Sequence, residues 1–585
     1  MRRIFVLALT ALALLGVVTP DAFAQAPTPT FKINGLIDTV TTYSRNASNY
    51  GQDGDFARND TQWYARSRGR FDVIGEVGKA KAVLGLEIDL AFGQTGSGDN
   101  NIQTAGAQVC FGCTGSYDLN TDVRTVLELK WLYTEFEVPL IPVPTVMRVG
   151  AQPFGSAATY KVGTYATGDF AGLNIVSTIT PNVKINVTPY VAVEEQLVGQ
   201  NGCAGSACNV YPFGIAPNQV RGDDWAFIIA PEITPFKGLD LKPMFSYFGA
   251  NGETSGSARL GRGGVGQGGT ITVGNTALTV GSAFRNPNTG NGDGINENRY
   301  TLGLDARLRL GAFSLDPSIY YQFGNRRVVV PTQLASPSGL GAGSIAKADI
   351  SAGMVDIRAG YQIGPLLLEG LFMFASGNKA RDTTLKNVNY YQVLSADTGY
   401  LADWGNQLSS LGIDYFSAMN EAQLSAGYPG NTIGWDKYGR YQMSLKASYF
   451  LTPSLSASAG VSAHMTHRAI DTDAITQNNG FAVVPISTCP GLGTPIPGTS
   501  NQLLTVPGGG LLPNYCQGKQ DGDTNYMGTE FFATVTWRFA PGLSWDNGFG
   551  YFIAGQGLDA FTGSTNAGRS AKDISILTSR VRFTF

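Results

Sequence analysis

The chain has 585 residues, among them 75 glycines, 25 tyrosines and 31 phenylalanines, and its 41 Lys/Arg against 44 Asp/Glu leave a formal net charge of −3. So even a balance gives no basis for a nucleic-acid or acidic partner. Charged residues at 15% beside 43% hydrophobic ones describe a protein neither membrane-helical nor typically soluble, a mixture that a large β-barrel produces because half of each strand faces lipid and half faces water.

Met1-Arg2-Arg3 is a short basic segment, Ile4 to Val18 an apolar run, and Ala22-Phe23-Ala24 a small-x-small cleavage site before Gln25. Residues 1–24 therefore read as a secretory signal peptide and are set aside from the fold. No later apolar stretch approaches the roughly 18 residues that a membrane helix needs. Residues 25–585 show no Pro/Ser linker and no shift in composition, so they read as one domain. Strand-like sequence begins at Phe31, which leaves no room for a plug domain ahead of it.

From there the apolar pattern alternates with period two. Residues 61–77 place Trp63, Ala65, Phe71, Val73 and Val77 on one face and Arg66, Arg68, Arg70, Asp72 and Glu76 on the other. Residues 80–92 follow with Leu84, Leu86, Ile88, Leu90 and Phe92 against Lys81, Glu87 and Asp89. The same reading applies to 123–138 (Leu127, Leu129, Trp131 and Tyr133 against Arg124, Glu128 and Lys130), to 183–194 and to 298–310. A charged second face in strand after strand points to an aqueous lumen. Segments 146–152, 173–179 and 223–234 alternate poorly.

The connections fall into two kinds. Short turns occur at Gly78-Lys79, Pro139 to Pro144, Thr180-Pro181-Asn182, 234–238, Gly311-Ala312, Gly364-Pro365, Thr452-Pro453-Ser454 and Ala540-Pro541-Gly542. Between them lie long Gly/Asn/Asp-rich segments at 46–60, 93–122, 197–222, 251–297, 326–348, 378–437, 468–525 and 556–571. Short turns on one rim and long loops on the other predict an all-β fold, an antiparallel up-and-down transmembrane barrel of about 18 strands with 16 possible. Both termini then return to the short-turn rim.

Several constellations are weaker. The six cysteines come in three close pairs, Cys110 with Cys113, Cys203 with Cys208 and Cys489 with Cys516. Each pair sits within one loop-like stretch, as disulfides of an exported protein would. Cys110-Phe111-Gly112-Cys113 lacks the second CxxC or His that a zinc site requires. The runs 291–297 and 521–525 crowd oxygen ligands, yet neither completes a calcium loop, and Asx/Gly turns account for both. His464 and His467 are the only histidines, with no legible nucleophile or carboxylate partner. No catalysis, cofactor or metal is predicted. Trp63, Tyr133, Tyr321, Tyr449, Trp537 and Phe585 suit interfacial girdles, and Tyr64, Tyr190 and Tyr320 are scattered candidates for inward-facing aromatics.

The last strand carries the resemblance. Leu577, Ser579, Val581, Phe583 and Phe585 alternate with Thr578, Arg580, Arg582 and Thr584. Its apolar set ending in Val581, Phe583 and Phe585 resembles the assembly signal of Gram-negative outer-membrane β-barrels, and from signal peptide to Phe585 the chain resembles the Gram-negative porin family. The resemblance implies a water-filled channel in the outer membrane for passive diffusion of small hydrophilic solutes and ions, and a homotrimer. It also implies that the third long loop, here 153–172 with Tyr160, Lys161, Tyr165 and Asp169, folds inward as a constriction. Opposite it such porins place a basic ladder, for which Arg66, Arg68 and Arg70 are consecutive inward positions, extended by Arg124, Lys130 and Arg148. The same arginines could instead be balanced by Asp72, Glu76, Glu87, Asp89 and Glu128 and simply keep the wall wet. A single acid, Asp169, departs from the acidic cluster of enterobacterial general porins. Alternatives are a channel selective for a sugar or an organic anion, and a sleeve for a partner protein, which an inward-folded third loop would block.

Overall fold

Alternation and turn chemistry resolve into eighteen long strands: β1 Thr30–Arg45, β2 Thr61–Val77, β3 Ala80–Ala91, β4 Leu127–Glu137, β5 Thr145–Pro153, β6 Asp169–Thr180, β7 Val183–Glu195, β8 Asp223–Phe236, β9 Leu239–Ala250, β10 Asn296–Leu310, β11 Phe313–Val329, β12 Ile345–Ile363, β13 Leu366–Ala375, β14 Arg440–Thr452, β15 Leu455–Ile470, β16 Thr524–Ala540, β17 Leu543–Ala554 and β18 Ile574–Thr584. The structure, a computed structural model, describes these strands, the turns between them, residues 159–161, 164–166, 376–379, 387–394, 404, 438–439, 555–557 and 572–573, a few residues at the ends of β1, β12 and β18, and short extended segments between 269 and 517. Residues 1–24, expected as a signal peptide, Arg124 and most of the long loops lie outside the described residues.

The three expected disulfides fall there as well. Cys110, Cys113, Cys203, Cys208 and Cys489 are all outside the described residues. Cys516 belongs to the short extended segment Tyr515–Gln517, where its backbone pairs with Val484, and its side chain is outside the described part. No sulfur of the pairs Cys110 with Cys113, Cys203 with Cys208 or Cys489 with Cys516 is therefore placed, and their bonding stays an expectation of the sequence.

Each strand pairs antiparallel with its sequence neighbour, and β1 pairs with β2 on one side and β18 on the other, so the sheet closes. At the seam Gly35 and Phe585 exchange backbone bonds of 2.9 and 3.0 Å. Closure leaves no unpaired edge, the condition for a sheet to sit in lipid. The outer face agrees. Leu129, Leu302, Ile319, Leu445, Phe531 and Leu577 from strands around the whole circumference all stay exposed, an apolar surface that only hydrocarbon covers without cost.

Three poorly alternating segments prove to be strands, two of them interrupted by bulges close to those positions. In β6 the extra residue lies between Thr178 and Thr180, which pair with Lys184 and Val183, and in β8 it lies between Ile233 and Phe236, which pair with Leu241 and Leu239. The shifts opposite Leu173/Ile175 and opposite Ile228/Ala226 both come from an extra residue in β7 beyond Val187. An extra residue reverses the in/out sense beyond it, which blurs period two in the sequence. A further bulge lies in β4, where Leu86 pairs with Leu129 but Gly85 with Trp131. Lys130 is the extra residue, so Trp131 and Tyr133 share the inward side with Gly85 and Val83 instead of facing lipid as alternation alone predicts.

The lumen is two-sided. Ala226, Ile228 and Ala230 of β8, Met244 and Phe248 of β9, Ala352 and Met354 of β12, and Leu371, Met373 and Ala375 of β13 are inward and buried in one apolar cluster with loop residues. An entirely aqueous lumen is therefore corrected on this side: the inner faces of β8, β9, β12 and β13 are packed, with the buried charged groups Glu297, Arg299, Asp305 and Arg326 of β10 and β11 between them. Charged inner faces also line β1–β5 and β16–β18.

Candidate functional site

Between β5 and β6, residues 159–161 and 164–166 lie against the opposite wall, where backbone and side chains find partners on β9–β12. The Tyr160 amide donates to Asp305 Oδ2 at 2.6 Å, and Arg307 Nη2 donates to the Tyr160 carbonyl at 2.9 Å. Lys161 Nζ donates to Asp356 Oδ1 and to the Asp356 carbonyl, both at 2.7 Å. The Tyr165 hydroxyl donates to Ser246 Oγ at 2.7 Å. Lys242 and Arg307 lie 4.4 and 4.3 Å from the Tyr160 ring centroid, within cation–π range. Burial drives the Lys161 ammonium below its ordinary range despite the Asp356 carboxylate, and raises the Tyr160 and Tyr391 phenols above theirs. The Asp169 side chain lies outside the described residues.

A second loop joins the first. Leaving β13, Ser376 exchanges bonds with Gly353: its amide donates to the Gly353 carbonyl and its Oγ accepts from the Gly353 amide, both at 2.8 Å. Asn387–Val388 then lies parallel on Asp349–Ile350, along the stretch of β12 that extends beyond β13. The next residues turn into the lumen. Gln322 Nε2 donates to the Gln392 carbonyl at 2.6 Å, the Gln392 amide donates back to Gln322 Oε1 at 3.0 Å, and Arg326 Nη2 donates to Gln392 Oε1 at 2.8 Å. Finally the two loops bond each other, Leu394 amide to Tyr165 carbonyl at 2.7 Å and Tyr391 hydroxyl to Thr164 carbonyl at 2.9 Å. Sequence left this long segment unassigned between capping the mouth and contacting neighbours. The available signal was in its receiving strands, since β12 and β13 are apolar on both faces (Met354-Val355 and Leu371-Phe372-Met373-Phe374), the mark of a strand covered on both sides.

Across the lumen from this plug stands the basic wall. Glu87 is shared by Arg68 at 3.2 Å, Lys130 at 3.2 Å and Arg70. Asp38 is shared by Arg66 at 3.4 Å and Arg582 at 2.8 Å. Asp72 adds one carboxylate close to Arg70 and Lys130, so in these clusters five cations meet three acids. The side chains of Asp89 and Glu128 lie outside the described residues. Exposure separates the row. Arg66 and Arg68 are 1% and 4% exposed, whereas Arg70 and Arg582 are 32% and 33% exposed. Arg148 is partly exposed, pairs with Glu135 at 2.6 Å and stacks 4.8 Å from the centroid of Tyr133. The bulge at Lys130 thus sets two aromatic side chains, Trp131 and Tyr133, into the basic wall.

Other sequence candidates separate from this site. Tyr320 is inward, its hydroxyl bonded to Asp305 Oδ1 at 2.5 Å, and its ring faces Tyr165 and Tyr391 with centroids 6.4 and 6.2 Å away. Tyr190 is not inward: it stacks on Trp225, which leads through Tyr247 and Tyr300 to Phe323 across the outer face. Strand register brings Glu530 beside His464 at 3.8 Å, a partner invisible in the sequence, but both are under 2% exposed inside the wall. Glu297 of the candidate calcium run is committed to Arg326 at 2.6 Å and Arg299 at 3.3 Å. Trp63, Tyr321, Tyr449, Trp537 and Phe585 are exposed on the outside, as are Val581 and Phe583.

No family model matches the chain, and no curated protein matches it. Among solved structures, OprD of Pseudomonas aeruginosa is 10% identical, with 96% of this chain and 95% of that chain covered and a TM-score of 0.42. OccK11 (OpdR) of the same organism is 8% identical over 95% and 96% at 0.41. OccAB1 of Acinetobacter baumannii is 11% identical over 94% and 96% at 0.41. The fold is that of a closed transmembrane β-barrel. That statement rests on the closed eighteen-strand sheet and its apolar exterior, and no site residue is transferred from these neighbours to the barrel.

Proposed function

We propose that the barrel is a passive pore in the outer membrane, through which small hydrophilic solutes and ions diffuse along the basic wall, with organic anions favoured. The observation that carries this reading is the division of the lumen. Two loops fill the apolar half, while Arg70, Arg148 and Arg582 stay partly exposed on the other half. Guanidinium groups set in a narrow, poorly hydrated passage attract carboxylates and phosphates and hold them by paired hydrogen bonds. A protein guest needs a clear bore, and residues 159–161 and 164–166 stand in it, bonded to Asp305, Asp356 and Ser246, which counts against the sleeve reading. Assembly as a homotrimer through the outer face around Ala65 and Gly69 belongs to the same proposal, and the mass of the detergent-solubilised particle tests it. So do loop disulfides joining Cys110 to Cys113, Cys203 to Cys208 and Cys489 to Cys516, which thiol labelling with and without reductant tests.

Purified protein in a planar bilayer under a salt gradient gives the direct test. Steady open steps with a reversal potential on the anion side are expected. A silent bilayer from protein shown folded by heat-modifiable gel mobility would overturn the pore.

A further inference from the structure

We propose that His467 makes the hold on the constriction loop sensitive to acid. His467 Nδ1 accepts a hydrogen bond of 2.9 Å from the Gly377 amide, at the root of the loop that leaves β13. An imidazole nitrogen accepts only while it carries no proton. Protonation there would set two N–H groups against each other, and one of them would have to move.

The root has little freedom to absorb such a movement locally. A Cβ at Gly377 would lie 2.1 Å from the carbonyl carbon and oxygen of Tyr438, so the outgoing and returning limbs of the loop touch at that point. Asn378, the next residue, organises the inward limb: its Nδ2 donates to the Asn387 carbonyl at 2.8 Å and its Oδ1 accepts from the Asn389 amide at 2.7 Å. Tyr391 closes back on the root, its amide donating to the Ser376 carbonyl at 3.3 Å. From Tyr391 and Leu394 the bonds run to Thr164 and Tyr165 of the constriction segment. Hydrogen bonds and short stretches of backbone between them thus join His467 to the constriction segment.

The placement of His467 suits a switch. It lies beyond the last β14 pairing of its strand, Tyr441 with Met465, and inside the jump from Met465 to Ile470 in the pairing with β16. Ladder bonds therefore do not pin it. Its ring meets Phe374 and Tyr441 edge-on at 5.0 and 5.7 Å, and it is half-buried near the loop rim, within reach of protons outside. The titratable or charged groups around it, among the described residues, are Tyr441 on β14, Lys379 at the root and Arg468 on its own strand. Phenol, ammonium and guanidinium groups do not ordinarily change charge between pH 4 and about 7, so among these neighbours only the imidazole does, and the His467→Asn variant separates its response from that of carboxylates elsewhere in the network.

The inference deepens the pore reading by giving it a regulator, and its test does not depend on conduction. Amide hydrogen exchange of residues 387–394, corrected for intrinsic rates, would be compared at pH 7.5 and pH 4 in the wild type, His467→Asn and Asn378→Ala. Asn places an acceptor oxygen where Nδ1 sits and does not titrate. Protection in the wild type should fall about tenfold in acid, as loss of one buried bond implies. His467→Asn should keep its protection at both values, and Asn378→Ala should be poorly protected at both. Equal acid responses in wild type and His467→Asn, or no response in the wild type, would overturn the proposal. Release seen by exchange with a bilayer silent at every pH would instead remove the pore reading and leave the switch standing.

Discussion

Lys161 and Asp356 meet on the far wall of the lumen, and the two ends of the pair are not equivalent. Asp356 keeps Arg358, at 3.1 and 3.2 Å, if Lys161 is replaced, whereas Lys161 has no second carboxylate among its hydrogen-bonding partners if Asp356 goes. Asp356→Ala should therefore cost about 3 kcal/mol, the penalty of a buried charge without its partner, and loosen the constriction segment. Lys161→Met should cost clearly less. Gel-mobility melting midpoints of the two variants check the order, and equal midpoints would refute it. On the basic wall the expectation follows exposure. Arg70→Ser with Arg582→Ser should shift the reversal potential toward cations while the protein stays folded, because both side chains reach water. An unchanged potential would confine them to a structural part. Sequence showed that Arg66, Arg68 and Arg70 share a face, since that is a matter of parity. It could not show that Arg66 and Arg68 are buried, because what covers them comes from elsewhere in the chain.

At the scale of the strand, the bulge in β4 decides which side chains meet the pore. Removing Lys130 would join Leu129, paired with Leu86, directly to Trp131, paired with Gly85, so Glu128 and Glu135 would keep their partners Glu87 and Lys81 and neither end of the strand would turn over. The deletion should therefore retain the heat-modifiable folded form and lose only the Lys130 ammonium beside Glu87. Loss of the folded form would mean that the bulge itself is needed. The strands at 61–77, 80–91 and 296–310 were legible nearly to the residue because their alternation is largely unbroken. The bounds of β7 were legible but its facing was not, since an extra residue beyond Thr188 turns Val191 inward, and such a shift is chosen with the partner strands and leaves only a blurred pattern behind.

For the whole molecule the decisive contact is the seam. A Cβ on Gly35 would stand 2.5 Å from the Arg70 carbonyl and 2.8 Å from the Phe585 ring, so β1 accepts β18 only with a glycine at that position. Gly35→Val should lower the folded fraction after refolding into detergent several-fold without altering the unfolded yield. A wild-type folded fraction would show that the ring simply moves aside. Around the rest of the barrel the short turns match their sequence positions from Gly78-Lys79 to Pro541-Gly542.

By itself the sequence determined the barrel, the asymmetry of its rims, the facing of the arginine row and the approximate number of strands, which the structure fixed at eighteen. All of these follow from a two-residue period and from turn residues, which act over a few positions and need no distant partner. Tertiary structure alone decided which half of the lumen is packed, that residues 387–394 fold inward to meet 159–166, that Trp131 and Tyr133 face the pore, and that His464 finds Glu530. These depend on groups far apart in the chain competing for the same inner wall. Apolar inward positions on β8, β9, β12 and β13, with the polar partners that β10 and β11 offer between them, draw the loops to one side, and the charged positions of β1–β5 and β16–β18 leave the other side to water.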